Sequence, residues 1–466
     1  MDLKMQLLTS RFTFLLLLSS VCILYLFISL LLVNTSNPYH SSPQPHHVPT
    51  TLHHLFFGIG ANKNTWVSRK EYVKLWWKPR QMRGCVFVDS LQDDADTSPN
   101  DNASLPPLCV SEDTSRFRYT NRGGHPSAIR LARVVLETVN MNHYDVRWYV
   151  FGDDDTVFFP ENLAKTLSKY DHELWYYVGA NSETSEQNRE FGFGMAFGGA
   201  GFALSCPLAK ALAKVFDSCL HRYPHLYGSA SRVHSCLAEL GIGLTHEPGF
   251  HQQFDVRGDA FGLLAAHPLK PLVSLHHIDH INPIFPNMTA VNALTHLYEA
   301  AKVDSDRILQ QSVCYDRWFS WTISVSWGYA VQVFGYHLFL PDALPAQQTF
   351  RPWKGNDGLA YSFDIKQPHA DPCRRPTIFF LDTLSSSGRN GVRSIYKKHY
   401  ENCSYDMASP RKLEEIRVFS DKLRLGIKQL QAPRRHCCDV LPSSTGKVME
   451  ISIRECKEDE LIHMHV

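Results

Sequence analysis

The sequence has almost no net charge and no internal repeat. Its 466 residues include 47 Lys and Arg against 46 Asp and Glu, which leaves a formal net charge of +1. Because positive and negative residues balance, the composition gives no excess of positive charge to bind a polyanion, so no nucleic-acid partner is expected. Hydrophobic residues make up 44% of the chain, as in an ordinary globular protein, and the length leaves room for two folded units.

Positive charge is missing from a long stretch near the N-terminus. Residues 12–33 carry no charge, and about 22 apolar residues suffice to cross ~30 Å of hydrocarbon as a helix. Lys4 and Arg11 precede this segment, and no Lys or Arg follows it up to His54. The asymmetry predicts a cytosolic tail at 1–11, a signal-anchor at 12–33 and a luminal remainder. A cleaved signal peptide is the alternative, but its apolar region is usually about 7–15 residues long.

The cysteine spacings match no zinc ribbon or zinc finger, which favours disulfides in an oxidising lumen. Cys22 lies in the apolar segment and leaves an odd number of other cysteines, so at least one thiol is free or intermolecular. Two plausible pairs, which spacing alone does not fix, are Cys85 with Cys109 and Cys219 with Cys236. A luminal glycoprotein is also indicated by four acceptor patterns, at Asn34, Asn102, Asn287 and Asn402.

The chain divides into segments of different composition. Residues 34–51 are rich in Pro, Ser and His without apolar periodicity, which is typical of a stem. Strand-like and helix-like segments then alternate and predict an α/β domain over 52–300 with a largely parallel sheet. Beyond it, aromatic segments of period two predict a β-rich accessory domain over 301–466. The predicted strands lie near 55–59, 85–88, 148–151 and 175–178. The predicted helices lie near 69–77, 127–140 and 208–216, and a further helix begins at Pro160.

Three adjacent carboxylates, Asp153, Asp154 and Asp155, follow the apolar segment Trp-Tyr-Val-Phe. Such a cluster at the end of a buried strand is unfavourable unless a cation neutralises it, and carboxylate oxygens suit Mn²⁺ or Mg²⁺. In an extended segment Asp153 and Asp155 face one way and Asp154 the other. Ligands of open α/β sheets bind at such carboxyl ends of strands. An acidic surface turn is the alternative, against which the flanking apolar residues argue.

Three motifs together resemble a known family. They are FGDDDTVFF around the triplet, FGGAGFALS at 197–205, and the stretch from Glu247 through HHIDHINPIFPNMT. They resemble the plant branch of the Fringe-like, GT31-like glycosyltransferases over residues 52–289. The resemblance implies a Rossmann-like GT-A fold, a UDP-sugar donor and Mn²⁺ or Mg²⁺. It makes Asp155 the direct metal ligand and places Asp153 and Asp154 on the metal, the ribose or the sugar.

The resemblance also assigns roles to glycines and to a late histidine. Gly198, Gly199 and Gly201 would line the donor-sugar pocket, where the missing side chain lets the backbone approach a ligand. A strand bulge explains the glycines alone equally well. His276 is the best match to the histidine that completes the metal site in related enzymes, and His277 is the next.

One departure from the family concerns the general base. Family members carry an acidic pair shortly after a Tyr-Gly-Ser turn, and here Ala230 and Ser231 occupy these positions. Neither accepts a proton at neutral pH, and loss of general-base help typically costs about 10²–10⁴-fold in rate. Glu239, Glu247 and Asp255 are the carboxylates nearby in sequence that could serve instead of the missing pair.

The expectation is an inverting, metal-dependent hexosyltransferase. It would transfer a hexose from a UDP-sugar to a hydroxyl of an acceptor glycan or glycoprotein, forming a β-1,3 link as in the family. The protein would be a single-pass type II protein of the Golgi membrane. The alternative is a donor-binding pseudoenzyme or scaffolding protein on the same fold, which the missing base favours. A metal-dependent hydrolase is disfavoured because no second metal cluster is evident in the sequence.

Overall fold

The computed structural model describes residues 19–29, 48–91, 103–252, 260–345, 369–388, 390–442 and 446–464. The chain separates into two units, Met1–Val48 and Pro49–Val466. Residues 19–29 of the first unit are helical. Among the described residues, no helix combines the length and apolar character needed to span a membrane. Residues 12–18 and 30–33 of the predicted signal-anchor, and the predicted stem up to residue 47, lie outside the described residues.

The second unit begins with alternating strands and helices. The strands are β1 (Leu55–Gly60), β2 (Arg83–Val88), β3 (Leu108–Val110), β4 (Trp148–Asp153), β5 (Val157–Phe158), β6 (Tyr177–Gly179), β7 (Phe202–Ser205), β8 (Leu244–His246) and β9 (Ser274–Leu275). The helices are α1 (Lys63–Trp76), α2 (Ser127–Asn140), α3 (Pro160–Leu167), α4 (Ser185–Phe191), α5 (Cys206–Leu220), α6 (Ser229–Glu239), α7 (Phe261–Leu264) and α8 (Ala290–Val303).

Seven of these strands form one sheet in the order β3-β2-β1-β4-β7-β6-β8. The strands β3, β2, β1 and β4 run parallel, as do β6 and β8, whereas β7 is antiparallel to both of its neighbours. Alternate side chains of β4 enter two hydrophobic clusters, Trp148 and Val150 on one face and Tyr149 and Phe151 on the other. The predicted α/β class with a mostly parallel sheet is therefore confirmed.

Two helices show what the sequence pattern could and could not locate. α2 has the predicted bounds, because apolar residues recur along one face at helical spacing. α1 starts at Lys63, six residues before the predicted start at Arg69. The Oδ1 of Asn62 accepts a hydrogen bond from the backbone N–H of Asn64 (2.9 Å) and so caps the first turn. The first three residues of the helix, Lys63 to Thr65, are polar, and the amphipathic pattern used for the prediction begins only at Arg69, which is why the predicted start was wrong.

The C-terminal part is rich in β-structure, as predicted. Its elements are β10 (Gln311–Asp316), β11 (Trp321–Ser326), β12 (Ala330–Phe334), α9 (Leu340–Ala343), β13 (Thr377–Ser387), β14 (Gly391–Lys398), β15 (Glu415–Asp421), α10 (Ile427–Gln431), β16 (Cys437–Leu441) and β17 (Val448–Arg454). Eight strands form one sheet in the order β10-β11-β12-β13-β14-β15-β17-β16, which is antiparallel except between β15 and β17. A disulfide between Cys314 of β10 and Cys438 of β16 joins the two edge strands. The sheet therefore curls until its edges meet.

Five disulfides link the described residues. Both pairs considered from the sequence are present: Cys85–Cys109 joins β2 to β3, and Cys219–Cys236 joins α5 to α6. Cys206 is a free thiol. The acceptor residues Asn287 and Asn402 are exposed, whereas Asn34 and Asn102 lie outside the described residues.

The two sheets share a hydrophobic cluster that includes Trp148 of β4 and Trp321 of β11. The boundary predicted at residue 300 falls within α8 and stays a prediction.

Candidate functional site

The acidic triplet lies where the central strand of the seven-stranded sheet ends. β4 is buried as far as Gly152 and ends at Asp153, and the chain then turns at Asp154 and Asp155. Thr156 closes this turn: its backbone N–H donates to the carbonyl of Asp153 (3.0 Å), and its Oγ1 accepts from the N–H of Asp153 (2.8 Å). Asp154 and Asp155 are only 3% and 2% exposed. Their two carboxylates are therefore held away from water at the edge of the sheet.

Arg69 of α1 supplies a positive charge to this turn. Its guanidinium lies 3.1 Å from Oδ1 of Asp154 and 3.2 Å from Oδ2 of Asp155. A third contact, of 3.0 Å, joins it to Oδ2 of Asp279. Strand alternation predicts Asp154 on the opposite side from Asp155, but the chain turns here instead of staying extended, so both carboxylates reach the same guanidinium. The sequence pattern predicts a metal ion as the neutralising charge and does not reveal this arginine.

His276 and His277 come next to the triplet because β9 pairs with β5. In this two-stranded sheet Leu275 lies opposite Val157, so the residues that follow β9 return beside the turn that precedes β5. Nε2 of His276 lies 3.2 Å from Oδ1 of Asp155. One ligand atom from each of Asp155, His276 and His277 lies within 4.8 Å of the other two. These three residues are called the ligand set below, and Asp153 does not belong to it.

The chemistry of the ligand set fits a divalent cation. Both carboxylate oxygens of Asp155 are buried and accept no hydrogen bond of good geometry among the described residues. Nδ1 of His276 lies 3.1 Å from the carbonyl of Gln252, which can only accept, so Nδ1 carries the hydrogen. In the neutral imidazole, which is the form that binds a metal ion, Nε2 of His276 is then the atom with a free lone pair. An Asp/His/His set of this kind suits a divalent transition-metal ion better than Mg²⁺, which prefers oxygen ligands.

Burial and nearby charges shift the pKa values of these groups in opposite directions. Burial raises the pKa of Asp153 to about 7, and the charges of Asp155 and Asp154 add to this effect. Burial opposes ionisation of Asp155 as well, but the nearby charges of His276 and Arg69 lower its pKa to about 2. Asp155 is therefore the carboxylate of the triplet that stays ionised over the widest pH range.

The pKa values of the two histidines of the ligand set shift in opposite directions, although burial favours the neutral form of both. Burial lowers the pKa of His277 to about 4, and the charge of His276 adds to this effect, which leaves His277 neutral at physiological pH. The pKa of His276 is raised, because its interaction with Asp155 outweighs burial. A neutral imidazole nitrogen is the form that binds a metal ion, so His277 needs no deprotonation before it can do so.

The glycine-rich turn packs directly against the ligand set. A Cβ atom added to Gly199 would lie 2.1 Å from Cε1 of His276, so only glycine leaves room for the imidazole. Gly201 has φ +83°, a conformation that other residues rarely adopt. Oγ1 of Thr156 donates to the carbonyl of Gly199 (2.7 Å) and so joins the glycine turn to the acidic turn. Gly198 is less crowded, because a Cβ atom added there would lie 3.7 Å from Cβ of Ala230.

The position of the missing acidic pair lies beside these groups. A small cavity of about 20 Å³ is lined by Asp153, Gly198, Ser229 and Ala230, among others. Ala230 is in the first turn of α6, so this wall of the cavity carries a methyl group where the family carries an acid. The structure therefore brings the replaced base position next to the triplet and the glycine turn.

The alternative carboxylates lie elsewhere. Glu239 ends α6, about 13 Å along the helix from Ala230, and binds Arg222 and Tyr223 at the surface. Glu247 is buried, forms an ion pair with Lys169 and accepts from the hydroxyl of Tyr170.

The third alternative, Asp255, lies outside the described residues. Neither Glu239 nor Glu247 is among the residues that line the small cavity beside Ala230.

The side chains of His267, His251 and Glu183 form a series of hydrogen-bonding contacts that ends at Gln252 beside the site. The carbonyl of Pro268 can only accept, so Nδ1 of His267 carries a hydrogen and its Nε2, if this histidine is neutral, accepts from His251 (2.8 Å). Burial lowers the pKa of His267 well below its ordinary value and so favours the neutral form. Nδ1 of His251 lies 2.7 Å from Oε1 of Glu183. The other oxygen of Glu183 accepts from the N–H of Gln252 (3.1 Å).

Gln252 connects this series of contacts to the site through two hydrogen bonds. Its side-chain Oε1 accepts from the N–H of Ala200 in the glycine turn (2.9 Å), and its carbonyl accepts from His276. No pattern in the sequence points to Glu183 and His251, which lie 68 residues apart.

Comparison with known proteins places this site in a family. A family model described as Fringe-like matches residues 52–262, which contain the triplet and the glycine turn. A second model, described as "Protein of unknown function, DUF604", matches residues 187–438, more than half of the chain. Most of the α/β part thus matches a Fringe-like model. The chain belongs to the DUF604 family, and the predicted resemblance to Fringe-like proteins is confirmed, whereas a plant origin stays a prediction.

Individual relatives are more distant. The chain is 24% identical to a beta-1,3-glucosyltransferase of Mus musculus over 245 residues, which are 51% of this chain and 43% of the relative. The chain thus spans less than half of that relative's length. A solved mannosyltransferase, PcManGT from Pyrobaculum calidifontis in complex with GDP-Man and Mn²⁺, aligns at 14% identity over 56% of this chain and 74% of that chain. Its TM-score of 0.26 is too low to relate the two folds.

Proposed function

We propose that this protein is a metal-dependent glycosyltransferase of GT-A architecture that uses a UDP-sugar donor. The observation that carries the proposal is the convergence of Asp155, His276 and His277 at the end of β4, directly against Gly199. A buried carboxylate, two imidazoles and a glycine turn form a site where a cation and a closely approaching ligand fit together. Membership of a family with a Fringe-like domain supports the same activity.

In the proposed mechanism Asp155, His276 and His277 hold Mn²⁺. When bound, the ion supplies charge stabilisation to the diphosphate leaving group. Arg69 contacts both Asp154 and Asp155 and holds their carboxylates in place, so that they need no reorganisation when substrate binds. The glycine turn lets the donor sugar approach the backbone, with Gly198 and Gly201 at its ends. Asp153 faces the small cavity and is placed to contact the ribose or the sugar.

The finer specificity is part of the proposal. We expect transfer of a hexose to a hydroxyl of a glycan or glycoprotein, with inversion and a β-1,3 link. The mouse relative's description as a beta-1,3-glucosyltransferase supports this linkage. The disulfides and the two exposed acceptor asparagines support an oxidising lumen. We place the protein in the Golgi membrane, anchored through residues 12–33 with its catalytic part in the lumen.

One observation favours a second candidate function. Ala230 and Ser229 line the cavity beside Asp153, and none of the described residues lining that cavity, apart from Asp153, is acidic. A protein with this wall could bind the donor without transferring it efficiently. The alternative is therefore a donor-binding pseudoenzyme or scaffolding protein with the same metal site.

Calorimetry of the full-length chain with UDP tests the proposed site. We expect UDP to bind in the presence of Mn²⁺ and not in EDTA, and Asp155→Ala to abolish the Mn²⁺-dependent binding. Asp382→Ala, which removes an exposed carboxylate paired with Lys397, is the matched control and should bind UDP as the unchanged chain does. UDP binding that survives in Asp155→Ala would remove the central assignment.

Restoring the acid separates the two candidate functions. If Ala230→Asp raises the rate of sugar transfer by about 10²-fold or more without changing UDP affinity, the natural chain is a disabled transferase. An active natural chain whose rate is unchanged by Ala230→Asp would show that another group accepts the proton.

A further inference from the structure

A cavity of about 240 Å³ lies at the seam of the C-terminal sheet, far in sequence from the acidic triplet. The seam is the place where edge strands β10 and β16 meet without being neighbours in the hydrogen-bonded order of the sheet. The cavity opens between the residues that lead into these two strands, Gln310 to Ser312 on one side and Arg434 to His436 on the other. Its volume has room for roughly eight water molecules at ~30 Å³ each.

The lining of this cavity is unusually basic. It includes Arg307, Arg434, Arg435 and His436, whereas the one acidic side chain among the described lining residues is Glu455. Glu455 and Arg434 are exposed, whereas Arg435 and His436 are partly exposed and Arg307 is buried, so water screens the charges of Glu455 and Arg434 most strongly. The cavity therefore has an excess of positive charge.

Arg435 lacks a counter-charge. Its Nη1 donates to the carbonyl oxygen (3.0 Å) and to Oε1 (3.1 Å) of Gln311. Within the described part of the chain no carboxylate forms an ion pair with Arg435, and its Nε and Nη2 have no hydrogen-bond partner. Burial lowers the pKa of Arg435 to about 10, and no neighbouring acid opposes this effect. Arg435 is only partly exposed, and a partly desolvated cation without a counter-charge is unfavourable, so an anion in the cavity would compensate it.

Arg307 differs from Arg435 because protein groups already hold it. Its Nη2 donates to the carbonyl of Asp421 (2.9 Å), and its Nε lies 3.4 Å from Asp304. Nη1 contacts Nδ1 of His436 (3.1 Å), and burial lowers the pKa of His436 to about 4. This histidine is therefore neutral, accepts from Arg307 through Nδ1 and carries its hydrogen on Nε2, which is a donor. Arg307 and His436 form a fixed polar wall.

The segment that carries Arg435 is rigidly anchored. The two residues after His436 are Cys437 and Cys438, and disulfides tie them to Cys456 and Cys314. The disulfide to Cys456 ties β16 to the segment that follows β17, and the disulfide to Cys314 crosses the seam to β10, so the arginine is positioned before any ligand arrives. Such preorganisation reduces the entropy lost on binding.

From these observations we infer that the seam cavity is a binding site for the oxyanion group of a small ligand, a phosphate or a carboxylate, with Arg435 as its main contact. A guanidinium offers two parallel N–H groups, here Nε and Nη2, that match two oxygens of either group. The inference is independent of the proposed transferase function, because the cavity shares no residue with the ligand set or the glycine turn.

Calorimetry of the full-length chain in EDTA tests the inference, since EDTA removes metal-dependent binding at the other site. Inorganic phosphate, glucuronate and uncharged glucose are the three probes. We expect phosphate or glucuronate to bind and glucose not to bind. Tighter binding of phosphate identifies a phosphate ligand, and tighter binding of glucuronate identifies the carboxylate of an acidic sugar. No binding of either anion at about 10 mM would overturn the inference.

Variants locate the binding. Arg435→Gln should weaken anion binding by about 10- to 100-fold, and Arg435→Lys should retain part of it. Arg317→Gln, which removes an exposed arginine from the β10–β11 turn, is the matched control and should bind normally. Glu455→Gln should tighten binding, because it removes the one acidic side chain of the described lining; this variant decides the matter if Arg435→Gln fails to fold. Equal affinity of the unchanged chain, Arg435→Gln and Glu455→Gln would refute the assignment.

Discussion

Replacement of Arg69 by methionine tests the electrostatic core of the site. The guanidinium contacts Asp154, Asp155 and Asp279 at 3.0–3.2 Å, and its own side chain is 22% exposed. Methionine preserves much of the packing volume and removes the charge. Asp154 and Asp155 then remain buried without a cation, unless a metal ion is added.

The size of the effect follows from burial. Removal of one partner of a buried ion pair typically costs about 3–5 kcal/mol, because the remaining charge is left unpaired in a poorly solvated place. Arg69 and Asp279 are each partly exposed, whereas the carboxylates of Asp154 and Asp155 are almost completely buried. We therefore expect Arg69→Met to lower the free energy of unfolding by about 3 kcal/mol in EDTA, the lower end of that range.

Chemical denaturation with and without Mn²⁺ is the assay. Because a guanidinium and a divalent cation repel each other, Arg69→Met should bind Mn²⁺ about tenfold more tightly and regain part of its stability when the metal is added. Arg222→Met is the control: this arginine pairs with Glu239 at the surface, and its loss should cost less than about 1 kcal/mol. If Arg69→Met costs no more than Arg222→Met and responds to Mn²⁺ no more strongly than the unchanged chain, the charge argument is wrong.

Three further predictions concern packing, pH and covalent closure. Gly199→Ala should weaken Mn²⁺ binding at least tenfold, because the new Cβ displaces His276; calorimetry that finds unchanged affinity would contradict the packing of the glycine turn. Burial raises the pKa of Glu137 to about 7, so its contribution to stability is complete below about pH 4.5 and is lost as pH rises through 7. Glu137→Gln should therefore gain about 2 kcal/mol over the unchanged chain at about pH 8 and little at about pH 5, as measured by denaturation, and an equal gain at both pH values would refute the shift. Replacement of Cys314 and Cys438 by serine removes the disulfide between two residues that lie 124 apart in sequence, and it should lower the free energy of unfolding by about 2–5 kcal/mol. A loss below about 1 kcal/mol would show that β10 and β16 stay together without the disulfide.

Local patterns in the sequence were sufficient for the elements that carry the site. An apolar segment that runs directly into three aspartates predicts a buried strand ending in a charged turn, and β4 has this form. α2 was predicted with its bounds because its buried face has one clear period. These features depend on residues that are neighbours along the chain or one helical turn apart.

The parts that the sequence did not predict depend on contacts between distant residues. Arg69 contacts Asp154, which lies 85 residues later in the sequence, and Asp279, which lies 210 residues later. Nothing in the helix that contains Arg69 distinguishes it from other surface arginines. Glu183 and His251 are brought together only by the fold. The turn at Asp154 follows from the hydrogen bonds of Thr156, whereas simple strand alternation assumes an extended chain.

The most direct test of the central claim is release of UDP by the purified full-length chain, supplied with Mn²⁺, a panel of UDP-sugars and a mixed glycan acceptor. We predict that one UDP-hexose releases UDP faster when acceptor is present, and that both EDTA and Asp155→Ala remove this release. Mn²⁺-dependent UDP binding without acceptor-dependent release for every donor would contradict the transferase and leave the donor-binding alternative. Failure to bind UDP at all would contradict the nucleotide-sugar site itself.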